Sequence, residues 1–460
     1  MACVISAPAS SSGKTILSLI LAAWARSKGK SIQTFKVGPD YLDPQQLSLV
    51  TKRPCRNLDL TLSGPEWVQN SFSSHKNSAE LTLIEGVMGL FDGVGSSREG
   101  STSDIARLLN LPIVLIINAS GQAASIGALV KGFRDTDLNL NIEGVVLNNV
   151  NTSRHRSLLT EVLEDMNVRV LGCLPNSEDL HLKSKNLGLS PPHELGRIEA
   201  RIKLWKFIAE KYLDLNYFEK LLASPNCENK KSAKIIERKA KNKVLDKPLI
   251  AIAEDKAFHF NYPETKECLI EMGMEILTWE IIKDEPIPKE VKGVIIPGGF
   301  PEEFAEEISQ CKRSLNSLQK IFCKRPIYAE CGGMLILGNA IEDINGNEYP
   351  MTGLLPFKAR EGSLKVGYRR LTAHKRSLIL SPHQKLVGHE FHRWHLSINE
   401  NKKDLSPPWL STGWGLDPVS EGWSNNLLHA SWIHLHWPSS EKILDAWCNS
   451  IEAIKGTRVK

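Results

Sequence analysis

Pro326-Ile327-Tyr328-Ala329-Glu330-Cys331-Gly332-Gly333 reads as a short strand that ends in a cysteine and then in two glycines. A cysteine at such a junction predicts a nucleophile elbow, with the backbone turned too tightly for side chains on its neighbours. The turn aims the sulfur at the positive end of the following helix, where a negative sulfur is favoured. The plain alternative is a buried structural cysteine, which packs as a small hydrophobe.

Two further stretches weigh on that choice. Near the other end of the chain, Pro8-Ala9-Ser10-Ser11-Ser12-Gly13-Lys14-Thr15 follows the strand-like run Cys3–Ala7 and opens a helical pattern over Thr15–Lys28. This is the context of a phosphate-binding loop. Backbone N–H groups and the helix N-terminus surround the phosphates, Lys14 neutralises them, and Thr15 ligates Mg2+. Ser11, Ser12, Gly13, Lys14 and Thr15 are therefore the predicted nucleotide-binding residues, although Pro8 stands where the motif usually begins with glycine. Downstream of the cysteine lies Trp432-Ile433-His434-Leu435-His436, read as a strand with both histidines on one face. Spacing alone leaves open which of them serves the sulfur. A thiol nucleophile and an ATP loop in one chain suggest an enzyme that forms amides with ammonia it releases itself.

Around the phosphate loop the strands end in acidic residues. Lys36-Val37-Gly38-Pro39-Asp40-Tyr41-Leu42-Asp43 places two carboxylates after a Gly-Pro turn, where doubly wound sheets bind ligands; the alternative is a polar turn capping the next helix. Leu83-Ile84-Glu85-Gly86 resembles a Walker B element, with Glu85 as a metal ligand beside Thr15. Asp92 fits either that role or a turn. On the cysteine side, Gly298-Gly299-Phe300 and the Gly332 amide are the sources of oxyanion donors, with Gly299 and Gly332 preferred. His389 and His392 read as substrate contacts or structural histidines.

Composition sets the outer limits. At 460 residues the chain is too long for one core, so two domains are expected. A charged fraction of 24% and a net charge of +5 give no reason to invoke nucleic acid or an anionic membrane. Nine cysteines without CxxC spacing indicate neither a disulfide framework nor zinc, and a reactive thiol suits a reducing, cytoplasmic setting. The run Ile16–Trp24 is too short to span a bilayer.

Apolar runs at Cys3–Ala7, Ser31–Val37, Leu81–Glu85, Ile113–Ile117, Gly144–Leu147 and Val168–Leu171 alternate with helical patterns. That alternation predicts an α/β fold with a doubly wound parallel sheet. Residues 1–223 form the first predicted domain, the lysine-rich stretch 224–247 a linker, and 248–460 a second α/β domain. Short, turn-rich strands are expected after Asn345, with a last helix near Ser440–Ile454.

Taken together, these elements resemble the cobyrinic acid a,c-diamide synthase family over nearly the whole chain. The resemblance is carried by Ser11–Thr15, Phe35–Asp43, Asn57–Asp59, Glu85–Gly93, Ser101–Asp104 and Asn186–Leu189. In the second half it is carried by Ala257–Tyr262, Pro297–Glu302, Ala329–Gly333, Gly388–His392 and His429–His436. The Gly-Pro-Asp-Tyr-Leu-Asp run is its most specific part. The resemblance implies a P-loop ATP domain fused to a class I glutamine amidotransferase-like domain. It also implies Mg2+-dependent amidation of the a and c acetates of a corrinoid such as cobyrinic acid, with glutamine as nitrogen source.

In that reading Cys331 forms the γ-glutamyl thioester, His434 activates it, and Asp40, Tyr41, Leu42 and Asp43 face the substrate or metal. Such enzymes usually carry a glutamate two residues after the histidine; His436 stands there, which favours a Cys-His dyad and leaves the third member open. Ammonia reaching the acyl phosphate before water implies a shared passage, and a homodimer is a further expectation. Nickel-sirohydrochlorin or hydrogenobyrinic acid amidation, and cobyric acid synthase, share the same logic. A ParA-like ATPase switch with a degenerate glutaminase is the reading from a different class.

Overall fold

The computed structural model describes residues 2–182, 184–185, 188–189, 191, 196–224, 247–343, 345–398 and 404–456. The chain divides into two compact units, Met1–Glu237 and Arg238–Lys460. Nearly all of the stretch read as a linker lies outside the described residues, as do Asn186 and Leu187 of the resembling segment.

Seven parallel strands form the first unit: β1 (Cys3–Ser6), β2 (Ile32–Val37), β3 (Arg56–Leu58), β4 (Leu81–Glu85), β5 (Ile113–Asn118), β6 (Ile142–Asn148) and β7 (Val170–Cys173). Their order is β3-β2-β4-β1-β5-β6-β7, the parallel sheet expected from apolar runs buried on both faces. The helix Lys14–Ser27 covers one face, with Trp205 and Ile208 of the helix Ile198–Tyr212 in the same core. Phe35, Phe72, Ile105 and Val130 fill the other face. The loops after β1, β2 and β4 leave neighbouring strands at their carboxyl ends, which brings three sequence motifs to one edge.

Strand β3 and the helix Leu60–Lys76 were not foreseen, and the helix Leu42–Thr51 was expected only in the reading of a polar turn that caps a helix. Arg56-Asn57-Leu58 has too few apolar residues to show a period, and it is held by its ladder with β2.

In the second unit the strands Glu275–Trp279, Leu249–Ala253, Gly293–Ile296, Ile327–Glu330 and Leu428–Ser431 run parallel in that spatial order, and Trp423–Ser424 adds an antiparallel edge. Short strands follow Asn345 as expected, among them Glu348–Pro350, Trp409–Gly413 and Leu428–Ser431, but two strands correct the expectation. Phe357–Ala373 and Lys385–Ile398 are 17 and 14 residues long and pair antiparallel. Alternate residues are buried at the two ends of the first strand, Phe357 and Ala359 and then Arg369, Leu371 and Ala373, but its charged middle is largely exposed, so no continuous apolar period marks its length.

The expected strand Trp432–Trp437 is corrected as well. The parallel sheet ends at Ser431, and only Ile433–His434 continues as strand, paired with His389 and Glu390 of the second sheet. The last helix is Glu441–Gly456. Among the described residues no helix is long and apolar enough to cross a membrane.

Candidate functional site

The elbow in the second unit has the strained backbone its sequence demands. Cys331 stands between the strand Ile327–Glu330 and the helix Gly332–Leu335, at φ 50° and ψ −119°. That region is sparsely populated for a residue with a side chain. A Cβ on Gly333 would lie 2.2 Å from the Ile296 carbonyl oxygen, so only glycine allows the approach. The Cys331 N–H donates to the Ser431 carbonyl at 2.7 Å, pinning the elbow to the neighbouring strand. The thiol itself is 3% exposed and donates to the Phe391 carbonyl at 3.5 Å.

Of the two histidines, His434 is the one that the tertiary structure brings against the elbow. His434 is fully buried, and its Nδ1 lies 3.4 Å from Glu330 Oε1. Burial alone would push this imidazole down, but the Cys331 sulfur and the Glu330 carboxylate reverse the effect and bring it up to about 10. Gly298 sits against both partners: a Cβ there would meet His434 Cε1 at 2.5 Å and Cys331 Cβ at 3.4 Å. His436 lies past the end of the strand, edge-on to Tyr262 and with Nδ1 2.9 Å from Ser439 Oγ.

The two predicted oxyanion glycines come together, since a Cβ on Gly332 would stand 3.1 Å from the Gly299 nitrogen. The Phe300 N–H is occupied by the Ala257 carbonyl. His392 is structural: it stacks on Trp432 at 3.8 Å, and its Nε2 lies 2.9 Å from Glu390 Oε1. His389 is held down to about 3 by burial, His434 and Arg369.

At the carboxyl edge of the first sheet, Gly13 takes φ +114° at the start of the helix Lys14–Ser27. A Cβ there would meet Asn148 Nδ2 at 2.5 Å. Asn148 in turn donates to the Ser12 carbonyl at 3.0 Å and holds the loop. Ser11 adopts φ +61°, the conformation a glycine would take with less strain. No side chain caps the helix and its first turn holds no acid, which leaves its N-terminal field for an anion. Lys14 Nζ donates to the Ala9 and Met88 carbonyls, and burial with the nearby Lys36 brings it down to about 8.

Thr15, Asp43 and Glu85 converge as their motifs suggested. Thr15 Oγ1 donates to Glu85 Oε1 at 2.7 Å and lies 3.4 Å from Asp43 Oδ2. The unforeseen member is Lys36, whose Nζ is 2.5 Å from Asp43 Oδ2, 2.8 Å from Glu85 Oε1 and 3.9 Å from Asp40 Oδ2. Its place two residues before the Gly-Pro-Asp run was the available signal. Burial and the Asp43 carboxylate push Asp40 up to about 7, and burial raises Glu85. Burial acts on Asp43 in the same direction, but Lys36 outweighs it and leaves Asp43 below its usual value.

Asn57, also missed as a functional support, donates to the Gly38 and Asp40 carbonyls at 2.8 Å and fixes the Gly-Pro-Asp turn. Tyr41 and Leu42 are buried; the Leu42 N–H donates to Asp40 Oδ1, so Leu42 builds the turn rather than facing a ligand with its side chain. Asp92 accepts from the Gly89 N–H and is a turn residue.

The oxygens here suit Mg2+, which takes one or two protein ligands and completes its shell with phosphate oxygens and water. Three carboxylates face two lysines, and the fully buried Glu85 Oε2 has no hydrogen-bond partner among the described residues. No preformed cluster of three or more His, Cys, Asp or Glu ligands occurs among those residues.

Two family models divide the chain along the same lines as the fold. Residues 3–189 match the CobQ/CobB/MinD/ParA nucleotide binding domain, and residues 249–442 the CobB/CobQ-like glutamine amidotransferase domain. The class is thus a glutamine amidotransferase domain in one chain with a nucleotide-binding domain.

Individual relatives narrow it. The cobyrinate a,c-diamide synthase of a Synechococcus species is 38% identical over 445 residues, 95% of each chain. That of Caldanaerobacter subterraneus is 37% identical over 83% of this chain and 84% of its own. The hydrogenobyrinate a,c-diamide synthase of Mycobacterium tuberculosis is 34% identical over 95% of this chain and 94% of its own. The chain belongs to the cobyrinate a,c-diamide synthase family, ligases that carry a glutamine amidotransferase domain.

Proposed function

We propose that this chain uses ATP and glutamine to amidate the a and c acetate carboxylates of cobyrinic acid, a step of cobalamin biosynthesis. The observation that carries the reading is the Cys331–His434 pair at a strained elbow, in one chain with a phosphate loop and its acidic cluster. Nucleotide and corrinoid chemistry are assigned to residues 1–223 and glutamine chemistry to 248–460.

Cys331 attacks the glutamine γ-carboxamide, and the Gly299 and Gly332 N–H groups receive the developing oxyanion. His434 passes a proton to the departing ammonia, and water then releases glutamate from the thioester. In the other unit a carboxylate is too poor an electrophile to take ammonia directly. Transfer of the ATP γ-phosphate makes it an acyl phosphate; ammonia displaces phosphate and leaves the amide. Lys14 and the helix N-terminus hold the phosphates, while Asp40 and Tyr41 stand at the substrate side of the turn. Thr15 and Glu85, with Asp43 beside them, would hold Mg2+, which supplies charge neutralisation at the phosphates.

Mass spectrometry of cobyrinic acid after incubation with enzyme, ATP, Mg2+ and glutamine tests the reading: two amides are gained. ATP hydrolysis without glutamine turnover would instead support a ParA-like switch. A second substrate has specific support, because hydrogenobyrinate synthases match the chain over the same span. Metal-free hydrogenobyrinic acid assayed in parallel separates the two.

A further inference from the structure

The proposed glutaminase pair has a histidine, His436, where an acid usually follows the catalytic histidine, and His436 is engaged with Tyr262 and Ser439. A carboxylate nevertheless reaches His434 from another direction. We propose that Glu330, the residue directly before the nucleophile, is the acid that positions His434, so that a Cys-His-Glu triad is completed from the elbow strand. The inference rests on the glutaminase reading above.

Each contact of Glu330 has a separable role. Oε2 accepts from the Tyr328 hydroxyl at 2.7 Å and faces the Leu435 N–H at 3.4 Å, which fixes the carboxylate plane. Oε1 is turned toward His434 Nδ1 at 3.4 Å, a charge contact longer than a good hydrogen bond. Such contacts in ligand-free sites tighten when substrate binds. With Nδ1 facing the acid, Nε2 is the nitrogen left for the sulfur, the arrangement a general base requires.

The backbone explains how adjacent residues share one imidazole. On a regular strand Glu330 and the next side chain point to opposite faces, whereas Tyr328 and Glu330 share a face. The turn at Cys331 breaks that alternation and swings the sulfur onto the same ring. Burial, with Glu330 next to it, raises the Tyr328 hydroxyl well above its ordinary range, so it remains a donor at working pH. The bracing contacts to Tyr328 and Leu435 use only Oε2, and Oε1 is turned toward the histidine.

Glu330→Gln keeps the shape and the Tyr328 contact but removes the charge. In the full-length enzyme, glutaminase kcat falls about 10- to 1000-fold while KM for glutamine stays within about threefold. Iodoacetamide alkylation of the Cys331 peptide, followed by mass spectrometry across pH 6–10, drops at least about fivefold at neutral pH and recovers only at higher pH. Glu330→Asp regains part of both losses. The thermal unfolding midpoints of the variants stay within about 2 °C of the parent, which shows that the glutaminase unit is folded, and amidation driven by free ammonia, assigned to the other unit, stays within about twofold.

A Gln variant with glutaminase within twofold of the parent and an unshifted alkylation profile overturns the assignment, and so does an Asp variant no better than Gln. Glutaminase surviving in Cys331→Ala would instead overturn the underlying reading, which keeps the two failures distinct.

Discussion

Lys36 and Glu85 sit directly opposite each other on β2 and β4, and Lys36 Nζ lies 2.8 Å from Glu85 Oε1. Cross-strand neighbours in a parallel ladder point to the same face, so register alone brings this buried pair together beneath the phosphate loop. Because Asp43 shares the same ammonium, removing it strands two buried carboxylates at once. Lys36→Met is expected to lower stability by about 3–5 kcal/mol and to abolish amidation with glutamine and with ammonia alike. Urea unfolding and the two assays measure these effects; unchanged ammonia-driven activity would refute the placement of Lys36 in the site.

Cys331→Ala separates the two chemistries. Glutamine-driven amidation is expected to vanish, while amidation with free ammonium salts continues within about twofold, because the proposed acyl phosphate needs only a nitrogen nucleophile. The check is product mass under both nitrogen sources. Loss of the ammonia reaction in a folded variant would contradict this division of labour.

Lys14 gives the nucleotide site a pH signature. Its folded value of about 8 lies below that of a free lysine, so above pH 8 the empty site has already lost much of the charge that phosphates require. ATP restores that charge, and binding is therefore accompanied by proton uptake at pH 8.5–9 and weakens as pH rises through this window. Calorimetry in buffers of different ionisation enthalpy measures the uptake. In Lys14→Met the proton uptake disappears and ATP affinity falls at least about tenfold.

Gly333→Ala tests the elbow sterically. The new Cβ would press to 2.2 Å from the Ile296 carbonyl oxygen, a backbone atom that cannot move aside cheaply. Destabilisation of about 3 kcal/mol or more and loss of glutaminase are expected. A thermal scan together with glutamate release records both, and a wild-type melting temperature with intact glutaminase would show that the elbow is looser than described.

His434 carries a pH dependence of its own. Its folded value, about 10, lies above that of an unfolded histidine, so its contribution to stability is fully present below about pH 6.5 and is lost as pH rises through 10. The difference in unfolding free energy between the parent and His434→Gln is expected to shrink between pH 7 and pH 10. A difference constant across that range would be inconsistent with a charged, buried imidazole.

Local signals and long-range ones were read with different success. Gly-Lys-Thr after a strand, and Cys-Gly-Gly after a strand, are dictated by backbone sterics within a few residues, and both motifs folded as their composition implied. The parallel sheet was legible because strands buried on both faces leave unbroken apolar runs. The long hairpin Phe357–Ala373 and Lys385–Ile398 was not, because its strands carry no continuous apolar period. Spacing left His434 and His436 undecided and only the resemblance favoured His434, since their placement depends on where one strand stops and the chain crosses to a second sheet.

What the chain determined by itself was the inventory: a thiol at an elbow, a lysine and threonine at a helix start, and acids at strand ends. Partnership was decided by the tertiary structure. Strand register set Lys36 against Glu85, and the packing of the last strand set Glu330 against His434. These contacts join residues far apart in sequence, and contact energy over such separations depends on sheet order and register, which no local pattern encodes.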